Sequence, residues 1–92
     1  MAKRLIIEGQ VQGVGYRASF AEKASVLGVA GWVRNRLDGS VEACVHGDAA
    51  AIDAIVIWAR RGPPVARVVN VSVAETEEPA PAGRKFGILP TQ

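Results

Sequence analysis

The sequence predicts an α+β fold in which two helices pack on one face of a single antiparallel sheet, in the order β-α-β-β-α-β with a short fifth strand at the end. Three observations carry this prediction. Apolar residues alternate with polar ones around Ile7, Ala43 and Val71, which is strand spacing. They recur at helical spacing around Phe20 and from Ile52 onward, and both of these stretches end on glycine, at Gly28 and at Gly62-Pro63-Pro64. The two middle strands are joined by Leu37-Asp38-Gly39, a hairpin turn in which Gly39 supplies a positive φ.

Taken in order, Lys3 to Glu8 is the first strand, with Leu5 and Ile7 on one face and Arg4, Ile6 and Glu8 on the other. From Arg17 to Leu27, the residues Phe20, Ala24 and Leu27 form a helix stripe that Ala21 joins, while Glu22 and Lys23 lie outside it. Val29 to Arg36 is the second strand and Ser40 to Gly47 the third. In the third, Val41, Ala43 and Val45 alternate with Glu42, Cys44 and His46, predicting one packed face and one partly wet face. Asp48 is the N-cap of a helix over Ala49 to Arg61, with Ile52, Ile55, Val56 and Ala59 inward and Trp58 at the margin. Arg60 and Arg61 stand where a helix C-terminus favours cations. Ala66 to Glu75 is a fourth strand, alternating through Val69, Val71 and Val73. Glu75 to Gly83 is acidic and then rich in Pro and Ala, a loop expected to be mobile, before Lys85 to Leu89 returns Phe86 and Ile88 to the sheet. This is the ferredoxin-like, split βαβ arrangement, which serves enzymes, RNA binders and regulatory modules alike.

Composition narrows the choice. At 92 residues, 49% of them hydrophobic, the chain is expected to be one domain over residues 1–92 with one core. A net charge of +2 is too small for a nucleic-acid or membrane footprint, and the basic residues are scattered apart from the Arg60-Arg61 pair. The single cysteine, Cys44, cannot pair internally, and with one histidine, His46, there is no metal-ligand cluster. Both read as structural or surface residues, and no metal or cofactor is expected. No apolar stretch approaches membrane-spanning length, and Met1-Ala2-Lys3-Arg4 leads straight into a strand. The chain therefore reads as complete and cytoplasmic, and it is expected to be a monomer.

The stretch with chemical content is Gly9-Gln10-Val11-Gln12-Gly13-Val14-Gly15-Tyr16-Arg17, between the first strand and the first helix. Closely spaced glycines let the backbone take positive φ and turn successive N–H groups inward. The helix that follows adds its free N-terminal donors, and Arg17 adds a planar charged fork. Phosphate or carboxylate is the ligand this chemistry suits; an ordinary glycine-rich turn with a solvated Arg17 is the alternative. The spacing matches neither the dinucleotide fingerprint nor a Walker loop.

A second stretch, Gly31-Trp32-Val33-Arg34-Asn35-Arg36-Leu37-Asp38-Gly39-Ser40-Val41-Glu42, completes a pattern. With the loop, it makes the chain closely resemble the acylphosphatases, small α/β-sandwich enzymes that hydrolyse the carboxyl-phosphate bond. The resemblance rests on a Gly-x-Val-Gln-Gly-Val-x-Tyr-Arg loop at Gly9 to Arg17 and a Gly-Trp-Val-x-Asn-x-x-Asp-Gly-Ser-Val-Glu segment at Gly31 to Glu42. It extends to Gly47-Asp48, to the Trp58–Pro64 helix end and to the last strand. Gln10 stands where a basic residue is frequent in the family, and the Pro79 to Gly83 loop has no match.

The resemblance implies that the backbone from Gln12 through Gly13, Val14, Gly15 and Tyr16 to Arg17 grips the phosphoryl group together with the Arg17 side chain. It implies that Asn35 holds the attacking water, with no covalent intermediate and no metal. Small acyl phosphates are the implied substrates, and phosphate and other small oxyanions the implied inhibitors. Tyr16 and Trp32 read as packing residues. A non-catalytic anion- or RNA-binding module on the same sandwich is the competing class. RNA recognition needs aromatics on the open face of the central strands, and Lys3 to Glu8 and Ser40 to Gly47 contain none.

Overall fold

The computed structural model describes residues 1–92. Strand β1 spans Ala2–Gln10, helix α1 Tyr16–Leu27, β2 Ala30–Asn35, β3 Val41–His46, helix α2 Ala49–Arg61, β4 Arg67–Glu75 and β5 Phe86–Ile88, with a short 3₁₀ turn at Ala82–Arg84 before β5. The strands lie in the order β4-β1-β3-β2-β5, and both helices cover one face.

Local chemistry accounts for the helix limits. Gly28 takes a left-handed φ of 74° and its N–H reaches back to the carbonyls of Ala24 and Ser25, closing α1. The Asp48 carboxylate accepts from the Ala51 N–H at 2.8 Å and starts α2, while Arg60 and Arg61 occupy its last turn. Between helices and sheet, Leu5, Ile7, Val33, Val41, Ala43 and Val45 meet Phe20, Ala24, Ile52, Ile55 and Ala59, all fully buried. Each large side chain so buried contributes about 1.5–3 kcal/mol.

Three expectations are corrected. The sheet is not wholly antiparallel, because β5 runs parallel to β2, pairing Gly31 with Phe86 and Val33 with Ile88. The reason is connectivity. β4 ends beside Ala2 and Lys3, at the same end of the sheet where β2 begins. The connecting segment stays at that end, so β5 can only set out in the direction of β2.

Val69 does not face the core; it is 80% exposed, and Val68 packs inward instead. A bulge opposite Glu8 and Gly9 skips Val69 in the pairing of β4 with β1, so Val68, on the far side of the bulge, takes the core face that Val71 and Val73 hold beyond it.

The face of β3 expected to be partly wet is closed, with Glu42 and Cys44 each 1% exposed. Arg4 and Arg34 both pair with Glu42, and the Arg34 guanidinium lies 4.7 Å from the Trp32 ring centre. Glu78 accepts from Trp32 Nε1 at 2.6 Å, and its carbonyl meets His46 Nε2 at 2.7 Å. Trp32 thus caps this outer network rather than packing in the core between sheet and helices.

Candidate active site

The loop between β1 and α1 turns on two glycines. Gly13 and Gly15 have φ of 76° and 77°, a region costly for any residue with a Cβ. Open space surrounds both, so it is the backbone angle and not crowding that calls for glycine there. Gly9 differs. Its φ is 129° and a Cβ would lie 2.1 Å from the Arg67 carbonyl oxygen, so it serves the close approach of β1 to the bulged β4.

The N-terminus of α1 is left open. Gly15 caps it without a side-chain hydrogen bond, and no acidic residue lies in the first turn. Its first N–H groups and positive dipole end are therefore available to an anion. Arg17 projects from that turn half-buried, and no carboxylate pairs with it, since both salt bridges of the chain go to Glu42. Tyr16 contributes only backbone to this surface. Its ring is buried against Phe20 and Trp58, and its hydroxyl donates to the Ala59 carbonyl at 2.8 Å. Burial holds that hydroxyl's pKa well above the ordinary phenol value.

Asn35 ends β2 on the same side of the sheet as Val33. Its main-chain carbonyl accepts from the Gln92 N–H at 3.1 Å, whereas its side-chain Oδ1 is buried without a hydrogen-bond partner. A cavity of about 190 Å³ brings Gly13, Gly15, Tyr16, Arg17 and Asn35 together, with Val11, Ala18 and Ile88 completing its wall.

Two predicted loop residues do not line this cavity. Val14 packs against the core, and the Gln12 carboxamide turns to the β2–β3 hairpin. Sequence reading missed Val11, Ala18 and Ile88 as wall residues. Ile88 arrives through the parallel pairing of β5, for which only the short Phe86 and Ile88 alternation gave a signal. His46 lies outside the cavity, and no His, Cys, Asp and Glu side chains group in threes as metal ligands would. A wider groove of about 650 Å³ between α1 and α2, floored by Trp58, contains neither Arg17 nor Asn35.

The acylphosphatase family model matches residues 3–88. The chain belongs to the acylphosphatase family. It is 56% identical over 71 residues to an acylphosphatase from Methylococcus capsulatus, covering 77% of each chain. An acylphosphatase from Azoarcus is 50% identical over 91 residues, which is 98% of this chain and 90% of that one. The crystal structure of acylphosphatase from Bacillus subtilis superposes with a TM-score of 0.86 at 36% identity, covering 96% of this chain and 97% of that chain. The acylphosphatase match thus takes in the glycine loop, the Asn35 segment and the parallel fifth strand together. No helix is long and apolar enough to cross a membrane.

Proposed function

We propose that this chain hydrolyses the carboxyl-phosphate bond of acyl phosphates, with Arg17 and the loop N–H groups holding the phosphoryl group and Asn35 orienting the attacking water. The observation that carries the reading is the meeting, in one small cavity, of an unpaired guanidinium, an uncapped helix N-terminus and an amide with an unsatisfied oxygen. Family membership supports the substrate class.

Water oxygen forms the new bond to phosphorus as the bond from phosphorus to the acyl oxygen breaks. The electron pair leaves with the carboxylate. That leaving group is already good, so a loose transition state needs chiefly positioning and charge stabilisation. Arg17 and the N–H groups of the loop and first helical turn supply the charge side. Asn35 cannot act as a base at neutral pH. Turned about its last torsion, its amide presents the oxygen to the cavity and accepts a hydrogen bond from water, while a phosphoryl oxygen takes the proton. The single, buried cysteine supports a reducing, cytoplasmic setting.

The test is phosphate release from acetyl, carbamoyl, aryl-acyl and glycerate acyl phosphates, before and after exhaustive chelation. Turnover that survives chelation, with inorganic phosphate competing, is expected. Phosphate binding with no turnover of any of the four would favour the anion-binding module instead.

A further inference from the structure

Gln12 lies in the glycine loop, yet its side chain is engaged elsewhere. Its Nε2 donates to the Arg36 carbonyl at 2.8 Å and to the Ser40 carbonyl at 2.9 Å. These two acceptors sit across from each other at the base of the β2–β3 hairpin, and Arg36 directly follows Asn35. A primary amide nitrogen carries two hydrogens, and both are used here.

We propose that Gln12 is a positioning residue, a strut that sets the separation between the phosphate-holding loop and Asn35 and so the line along which water meets phosphorus. This inference rests on the acyl phosphate reading above. The groups that would grip the phosphoryl group, Arg17 and the loop N–H groups, all lie on the loop side of the cavity. Asn35 lies on the hairpin side. The hairpin is tied on its outer side by the C-terminal segment, where the Gln92 N–H donates to Asn35 and the Leu37 N–H donates to Gln92, each at 3.1 Å. Gln12 is the tie on the inner side. Loosening it lets the two halves of the site move apart while leaving each half internally intact.

The fold does not depend on this strut for hydrogen-bond satisfaction. The Ser40 carbonyl also accepts from the Arg36 N–H at 2.8 Å, and the Arg36 carbonyl from the Gly39 N–H at 3.1 Å. Removing the Gln12 donors therefore leaves neither carbonyl orphaned. The identity of the side chain is nevertheless restricted. Methionine has the length without donors, and a carboxylate would place negative charge against two carbonyl oxygens.

The experiment compares kcat, KM and the inhibition constant of inorganic phosphate for wild type, Gln12→Met and Gln12→Glu, with circular dichroism and Tm measured on each. Gln12→Met should keep phosphate inhibition near wild type while kcat falls roughly tenfold to a hundredfold, the scale of a displacement of about 1 Å between reacting groups. Gln12→Glu should lose more at neutral pH. Its kcat relative to wild type should recover as pH falls and the carboxyl regains an O–H donor. Loss of kcat and phosphate affinity in parallel would overturn the proposal, because Gln12 would then be shaping the grip itself. Unchanged kcat in folded Gln12→Met would overturn it too. A wild type that releases no phosphate from any acyl phosphate would instead overturn the reading on which the strut rests.

Discussion

The Tyr16 hydroxyl donates at 2.8 Å to the carbonyl of Ala59, in the last turn of α2. That carbonyl has no helical partner, because the residue four positions on is Pro63, which lacks an N–H. A side chain from the start of one helix thus satisfies a backbone group that the sequence leaves orphaned at the end of the other. Tyr16→Phe should keep the ring contacts and the loop backbone but lose this bond. Thermal unfolding should show a loss of about 1–2 kcal/mol, the cost of a buried acceptor left unpaired. Turnover at low temperature should stay within a few-fold of wild type.

Arg17 and Asn35 share a cavity but are given different tasks, which kinetics can separate. Arg17→Gln should weaken phosphate inhibition and kcat/KM together, and Arg17→Lys should fail too, since an ammonium cannot reproduce the two-pronged fork. Asn35→Ala should lower kcat by ~10² to 10³ with phosphate affinity nearly unchanged, because the water it orients takes no part in phosphate binding. Normal kcat in folded Asn35→Ala, or wild-type phosphate inhibition in Arg17→Gln, would contradict that division.

Glu42 makes stability depend on pH. Burial pushes its carboxyl up, but hydrogen bonds from Arg34 and Arg4, with their charges, outweigh that and hold it below the ordinary value of 4.5. A depressed pKa in the folded state means that the unfolded chain binds the proton first. The stabilisation is therefore complete above the unfolded value and is lost as pH falls through the folded one. Denaturant titrations of wild type should show stability dropping below about pH 4.5, and Glu42→Gln should flatten that limb. At neutral pH the substitution should cost on the order of 2 kcal/mol, less than a fully buried pair, because the Arg4 side chain is 52% exposed.

Cys44 should be chemically silent in the folded protein. Burial pushes its thiol up to about 12, the Glu78 charge adding to the shift and Arg4 opposing it. Iodoacetamide at pH 8 should label it only as fast as the protein opens, with labelling accelerating in denaturant. Fast labelling under native conditions would show that the outer face of β3 is less closed than Arg4, Arg34 and Trp32 make it.

Elements written in local chemistry were legible in the chain. The Asp48 cap, the Gly28 stop and the Phe20, Ala24 stripe each depend on residues within a turn or two of one another, and α2 runs over the predicted Ala49–Arg61. The positive φ at Gly13, Gly15 and Gly39 is of the same kind, because the absence of a Cβ is a property of the residue alone. The candidate roles of Arg17 and Asn35 came from two motifs whose residues are close in sequence, even though the motifs are separated from one another.

Tertiary structure alone decided whatever required two distant segments to meet. The direction of β5 follows from where β4 ends, the exposure of Val69 from a bulge opposite Gly9, and the closure of Glu42 from arginines on β1 and β2. Ile88 enters the cavity wall, and the Gln12 carboxamide leaves it for the hairpin, for the same reason. Periodicity says which residues share a face of one element. Register between elements then decides what that face meets, and a shift of one residue along a strand is enough to reverse the answer.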